Sequence, residues 1–418
     1  MKILMVAYTF PPLLFPATMC YVKLAKGLQE QGHQVAVLAV DPETFQFPGG
    51  WKQDDALCDL IPQGVAVRFV KSWENNPFIR LAKRFRLTRE LFLPFLEPKK
   101  IEWTYAARSS VLKHIHANDI DVILSCSQPH CNHLLGRHLK RKIGKPWIAY
   151  FSDPWTDNVY TPYSSQRVFR HHLALEKDVV AEADAVYFTS PETEHLVMGK
   201  YAKALRRKAG VLPHSFVPQW YEDGSGGRGQ RSGGKIRFVQ TGHFYGPRTP
   251  LPLLEALTLL KIDLILADCF EFVFYGGMQE EYRRRIETSG LADVVKLQGT
   301  VPYMESLRAM KDTDYLLLID APLSSPGESV FLPSKLVDYL GSHKPVVGIT
   351  PLQGASARVL RETGNLVCDI TDVSAIAKTL AGIVNGTVHV RPDAQKIDAY
   401  EYLAVAKCLS DFMKNTIK

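Results

Sequence analysis

Residues 325–347, SPGESVFLPSKLVDYLGSHKPVV, gather the side-chain types that could hold a phosphorylated sugar. The stretch opens on turn formers and the carboxylate of Glu328. Pro333 stands where a first helical position would fall, followed by Ser334 and Lys335; proline suits that position because its φ is preset and its missing N–H is not needed there. Leu336, Val337, Tyr339 and Leu340 would give the helix an apolar face, with Asp338 on its other side. Backbone N–H groups at a helix start have no helical acceptor, so they favour an anion. Lys335 would add a mobile positive charge, and a carboxylate one turn on could grip vicinal sugar hydroxyls. That chemistry describes a site for a nucleotide-diphosphate ligand.

A second cluster lies at 126–138, where Cys126, His130, Cys131, His133 and His138 follow a strand pattern. A zinc site wants two pairs of ligands at defined spacing, and only one loose cluster is present. A Pro129–His130 turn at a strand's C-terminal end fits better as a loop in which His130 meets sugar hydroxyls or an acceptor phosphate.

Such loops need strands and helices to place them. Apolar runs at 3–8, 34–40, 65–70, 121–126, 146–151 and 185–189 read as strands, with an amphipathic helix at 21–31 closed by Gly32. Residues 236–240, 272–275, 294–297, 315–319, 346–349 and 366–368 continue the pattern, with helices between. Strands alternating with helices predict an α/β fold with parallel sheets. In such sheets ligands bind at the carboxyl ends of the strands, where the proline-rich loop 9–18 falls. At 418 residues the chain suits two domains.

Composition narrows the partners. A charge of +7 and a charged fraction of 22% are mild, and no basic patch alternates with stacking aromatics, so nucleic acid is not expected. No apolar run reaches the roughly 18 residues of a membrane span. Seven scattered cysteines predict reduced thiols and a cytoplasmic location. Residues 77–100 mix Phe78, Ile79, Leu81, Phe85, Leu91, Phe92 and Phe95 with Arg80, Lys83, Arg84, Arg86 and Arg89. A basic helix with an aromatic face can lie in a bilayer interface, here the inner face of the membrane. A helix packed on its own domain with its cations in water is the equal alternative.

The segment ending in Lys344–Pro345–Val346–Val347 resembles the donor-site segment of family 4 glycosyltransferases (glycosyl transferases group 1), as does YTFPP with the later L-x-x-x-G-H-x-V register of the first helix and strand. The resemblance implies the GT-B fold, two Rossmann-like doubly wound domains facing across a cleft. It implies an acceptor-side domain at 1–213, a linker with a flexible Gly-rich loop at 214–234, a nucleotide-sugar-binding domain at 235–393, and a C-terminal helix at 394–418 crossing back to the first domain. Asp338 takes the place of the second glutamate of the family's Glu-x7-Glu pattern; the first falls on Val330, with Glu328 the nearest carboxylate. Residues 241–248, TGHFYGPR, resemble the family's diphosphate loop. There Gly242 would let backbone approach the phosphates and Arg248 would supply a planar fork for their oxygens. His243 would be a weaker cation than the family's usual basic residue, and the usual lysine after the arginine is Thr249. Gly276 and Gly277 would frame the base pocket, or simply make turns. Asp153, in the sequence FSDPW, resembles the D-x-W of a subgroup acting on membrane-linked glycans and would orient the acceptor or bond the donor sugar; an Asx turn before Pro154 is the alternative.

Other motifs carry less. Gly224, Gly226 and Gly229 match a dinucleotide fingerprint, but without the strand before or helix after that it needs. Asp119 and Asp121, and Asp312 and Asp314, form D-x-D pairs, each just before a strand and away from the ligand edge. No metal or other cofactor is therefore expected. The reading is a retaining, metal-independent glycosyltransferase that moves a sugar from a nucleotide-diphosphate sugar to a glycan or lipid-linked acceptor in cell-surface glycan or polysaccharide synthesis. Arg248, Lys335, Asp153 and His130 would do the chemistry. Gly242, His243, Ser334, Asp338, Glu328, Gly276 and Gly277 would bind the donor. A non-catalytic nucleotide-sugar-binding protein and a sugar-nucleotide epimerase of the same fold remain alternatives, with a dinucleotide dehydrogenase disfavoured.

Overall fold

The computed structural model describes residues 1–45, 53–85, 91–114, 119–222, 234–244, 246–261, 266–321 and 329–416. The chain divides into two compact units: Met1–His214 with Tyr402–Lys418, and Ser215–Glu401.

The first unit is a parallel seven-stranded sheet of β1 (Lys2–Val6), β2 (Gln34–Val40), β3 (Ala66–Val70), β4 (Val122–Ser127), β5 (Trp147–Phe151), β6 (Ala185–Phe188) and β7 (Ala209–Val211), in the order β3-β2-β1-β4-β5-β6-β7. Its helices are α1 (Pro16–Glu30), α2 (Pro77–Arg84), α3 (Leu93–Leu96), α4 (Ile101–His114), α5 (Cys131–Ile143), α6 (Gln166–Glu182), α7 (Pro191–Met198) and α8 (Lys203–Arg206). Strands β4 and β5 are buried along their whole length, because helices cover both faces of a parallel sheet. Strand β7 was not evident as a strand in the sequence; it is three residues long at the sheet's edge.

The second unit is a parallel six-stranded sheet of β8 (Ile236–Thr241), β9 (Phe270–Tyr275), β10 (Val295–Gly299), β11 (Tyr315–Ile319), β12 (Val346–Thr350) and β13 (Leu366–Asp369), in the order β10-β9-β8-β11-β12-β13. Helices α9 (Leu251–Leu260), α10 (Leu266–Cys269), α11 (Glu280–Thr288), α12 (Tyr303–Lys311), α13 (Ser334–Gly341), α14 (Ala355–Glu362), α15 (Val373–Val384) and α16 (Ala394–Asp398) belong to it. In each sheet the strand order reverses once, between β1 and β4 and between β8 and β11. Crevices at such reversals, at the carboxyl edge, are where open α/β sheets take ligands.

Three expectations need correction. The single helix expected over 394–418 is broken: α16 ends, Glu401 pairs with Phe216, and α17 (Tyr402–Thr416) begins in the first unit. There α17 packs on α1 closely enough that a Cβ on Gly27 would lie 2.5 Å from the Ala406 Cβ. Residues 77–100 are not one helix. Phe85 is extended after α2, and α3 starts afresh with proline in its first turn; Arg86 and Arg89 lie outside the described residues. Pro333 is the residue before α13 rather than its first turn, at φ −63° and ψ 130°.

Candidate active site

The second unit gathers most of the residues expected to bind a donor at the carboxyl edge of its sheet. Strand β8 ends at Thr241, and Gly242 turns the chain there with φ +92°, a conformation that L side chains rarely adopt. Its N–H donates to the Tyr275 carbonyl at 2.8 Å. Gly276 has φ +132°, and a Cβ on it would lie 2.5 Å from the Gly242 carbonyl oxygen. Gly277 donates its N–H to Nδ1 of His243 at 2.8 Å and accepts from the Phe244 N–H at 3.0 Å. The loops after β8 and β9 are thus zipped together, with glycine where backbones meet.

This bond corrects the role expected for His243. Burial, with Lys335 nearby, holds its pKa below the ordinary value, and Nδ1 is already an acceptor. His243 is a neutral imidazole that keeps its remaining proton on Nε2, a hydrogen-bond donor rather than a cation.

Lys335 is half-buried at the start of α13. Its Cδ would lie 3.6 Å from a Cβ on Gly242. Burial and the Arg248 charge lower its pKa to about 7, against a raising effect of Asp320. Arg248 places one guanidinium nitrogen 3.6 Å from the Asp320 carboxylate, and both side chains are largely buried. Ser334 is the first residue of α13, and no side chain caps that helix start. Thr249 does not replace a cation: its hydroxyl accepts from the Leu251 N–H at 3.2 Å and so supports the start of α9.

Asp320 escaped the sequence reading. It follows the run YLLLI directly, at the end of β11 beside β8, and is 6% exposed. A carboxylate straight after a buried strand, at the reversal of strand order, was the available signal.

Asp338 is buried on α13, 6% exposed, and is not on an exposed face. Its carboxylate accepts from the Tyr303 hydroxyl at 3.1 Å, and its carbonyl from the Tyr221 hydroxyl at 2.8 Å. Tyr339 points the other way, its hydroxyl accepting from the Thr241 N–H at 2.8 Å. Glu328 and the glycines 224, 226 and 229 lie outside the described residues.

In the first unit, His130 immediately precedes α5 and stacks on Trp155, with ring centroids 4.8 Å apart and planes 8° from parallel. Trp155 donates its indole N–H to His172 Nδ1 at 2.8 Å. Burial, then His133 and His172, push the His130 pKa well below its usual value, so His130 is a neutral imidazole. Asp153 follows β5 and accepts from the Gln128 side-chain amide at 2.8 Å. Residues 128–130 and 153–155 therefore form one surface at the carboxyl ends of β4 and β5. Among the described residues no three His, Cys, Asp or Glu side chains come together as a metal would need. Asp121 accepts from the Lys2 N–H at 2.7 Å and Asp314 from the Arg237 N–H at 3.0 Å, at the amino ends of their sheets.

Residues 18–213 match the family model of the glycosyl transferase 4-like domain. The first unit therefore carries a glycosyl transferase 4-like domain, and the whole chain has the GT-B fold. Sucrose-phosphate synthase from Thermosynechococcus elongatus superposes with a TM-score of 0.68 at 14% identity, covering 99% of this chain and 98% of that one. A lipopolysaccharide outer core galactosyltransferase superposes at 0.62 and 12% identity, with 99% of each chain covered. A putative UDP-N-acetylglucosamine 2-epimerase from Listeria monocytogenes superposes at 0.60 and 11%, with 99% and 96% covered. At these identities the likeness carries the fold alone. No curated protein sequence matches the chain significantly.

Proposed function

We propose that this protein is a glycosyltransferase that takes its sugar from a nucleotide-diphosphate donor held by the second unit and passes it, with retention of configuration, to a glycan or lipid-linked acceptor at the first. The observation that supports a diphosphate donor is the meeting of Arg248, Lys335 and the uncapped start of α13 at the β8–β11 reversal. Two cations and free N–H groups suit the charge that builds on a departing diphosphate. Nucleophilic attack from the leaving-group face, guided by that phosphate, needs no enzymatic nucleophile and no metal. His243 Nε2–H and the backbone at Gly242 and Gly276 would orient the donor. His130 and Asp153 would orient the acceptor.

The acceptor side is read as membrane-proximal because Phe78, Leu81, Phe85 and Phe95 are each more than half exposed beside Arg80 and Arg84. No helix among the described residues is long and apolar enough to cross a membrane, so the contact would be peripheral.

Calorimetric titration with UDP-, GDP- and ADP-linked hexoses, followed by donor hydrolysis with and without excess chelator, tests the reading. Binding followed by chelator-resistant release of nucleotide diphosphate is expected. Binding without turnover would favour a sensor. Interconversion of the sugar nucleotide without nucleotide release would favour an epimerase, a reading kept open by the structural likeness to one.

A further inference from the structure

A diphosphate site is an odd place for a buried carboxylate, since Asp320 would repel the ligand that Arg248 and Lys335 attract. Its backbone does not explain it. The Asp320 N–H already donates to the Ile349 carbonyl at 3.0 Å, which continues the β11–β12 ladder whatever the side chain. The side chain instead lies 3.6 Å from the Arg248 guanidinium, and its charge also reaches Lys335. Without it, two like charges would share a half-buried crevice. The electrostatic cost of holding both there would drive one of them outward or strip its proton.

We propose that Asp320 is the positioning residue of the anion site, a carboxylate that holds Arg248 and Lys335 together in the unliganded protein so that the site is organised before the diphosphate arrives. The proposal rests on the donor reading above and deepens it: Asp320 acts through the two cations and makes no bond to the sugar. The charged and titratable groups that act on Lys335 are Arg248 and Asp320, and Lys335 in turn acts on His243. Preorganised charge of this kind avoids reorganisation at the moment of reaction.

The test follows Lys335 itself and needs no donor. Trace acetylation by isotope-labelled acetic anhydride at pH 5 to 10, read peptide by peptide, gives the pH at which Lys335 becomes half-reactive. In the wild type that midpoint should fall near 7. Asp320→Asn should move it down by about one pH unit, the effect expected of a lost opposite charge within a few ångströms, and Asp320→Glu should bring it back towards the wild-type value. Arg248→Gln, which removes the like charge, should move it up; that variant decides the matter if Asp320→Asn does not fold. An unchanged midpoint in a folded Asp320→Asn variant, or in Arg248→Gln, would overturn the proposal. So would a Lys335 that never reacts, because the site must be open to a ligand. Titration of the wild type with the nucleotide-sugar panel separates the two readings. No binding there overturns the donor site, whereas binding with an unmoved Lys335 midpoint overturns only the role of Asp320.

Discussion

The N–H of Gly277 donates to Nδ1 of His243 across 2.8 Å, joining the loop after β9 to the loop after β8. The joint leaves no room for a side chain, since a Cβ on Gly277 would sit 2.5 Å from that same Nδ1. Gly277→Ala should therefore push the imidazole off its perch and turn Nε2 away from the donor. Overpacking of this size costs on the order of 1–3 kcal/mol, so nucleotide-sugar affinity should fall by about tenfold or more. Calorimetry on the folded variant checks it, and unchanged affinity would remove His243 from the donor site.

On the proposed donor reading, Arg248→Ala removes a charge that would meet the leaving phosphate. Loss of one such donor typically costs about 3–4 kcal/mol in the transition state, so turnover should fall by 10²–10³ while the Michaelis constant changes less. Steady-state kinetics with the donor that binds give both numbers. Retention of more than half the wild-type turnover would show that Arg248 does not meet the developing charge.

Much of the fold was legible in the sequence because buried parallel strands are unmistakable runs, such as YLLLI at β11 and VILSCS at β4. Arg248 was legible through the resemblance of TGHFYGPR to a diphosphate loop, and Lys335 through its place at an expected helix start. What the sequence did not reveal depended on partners distant along the chain. Asp338 looked exposed by helical spacing, yet Tyr303, 35 residues away, gives its carboxylate a buried donor. His243 looked basic until Gly277 and Lys335 were placed beside it. Asp320 went unread because its meaning lies in Arg248, across a change in strand order.

Lys335 links stability to pH in an unusual direction. Its folded pKa of about 7 lies below the ordinary lysine value of 10.5. Between the two the unfolded chain binds the proton and the folded protein does not, so stability rises with pH through that window. Below about 7 the lysine is charged in both states and its full cost is present. Lys335→Met should thus raise the melting temperature at pH 6, and the gain should shrink as pH climbs towards 10. The same variant should bind nucleotide sugars more weakly. A variant less stable at pH 6, with its fold intact, would mean that the ammonium is satisfied in the free protein.

Acid should unfold the first unit from within. His133 and His214 are buried, and burial lowers each pKa to about 3. The unfolded chain takes up those protons near 6.5. Their contribution is complete above about pH 6.5 and is lost as pH falls towards 3. Each histidine steepens the decline by up to about 1.4 kcal/mol per pH unit. Urea unfolding followed between pH 7 and pH 4 should show the midpoint dropping once pH passes below 6.5. A midpoint that stays level down to pH 5 would contradict the burial of neutral imidazoles.

The membrane reading makes a prediction in which the structure selects the substitutions. Of the eight residues of α2 only Ala82 is buried, while Phe78, Leu81 and Phe85 stand out beside Arg80 and Arg84. Lys83 is not available for the surface: it is paired with Glu102, whose side chain is fully buried. Changing Lys83 would strand that carboxylate and destabilise the domain, as losing one partner of a buried pair does. The informative variant is Arg80→Gln with Arg84→Gln. Each basic residue near an anionic surface is worth about 1 kcal/mol, so affinity for phosphatidylserine-containing vesicles should drop by about 30-fold at low salt, with nucleotide-sugar binding unchanged. Salt should weaken wild-type binding, because exposed charges are screened within about 8 Å at physiological ionic strength. Phe78→Ser with Leu81→Ser should lose the binding that survives high salt, since that part comes from apolar burial. If the wild type ignores anionic vesicles even at low salt, these side chains serve something other than a bilayer, and a lipid-linked acceptor loses its principal support.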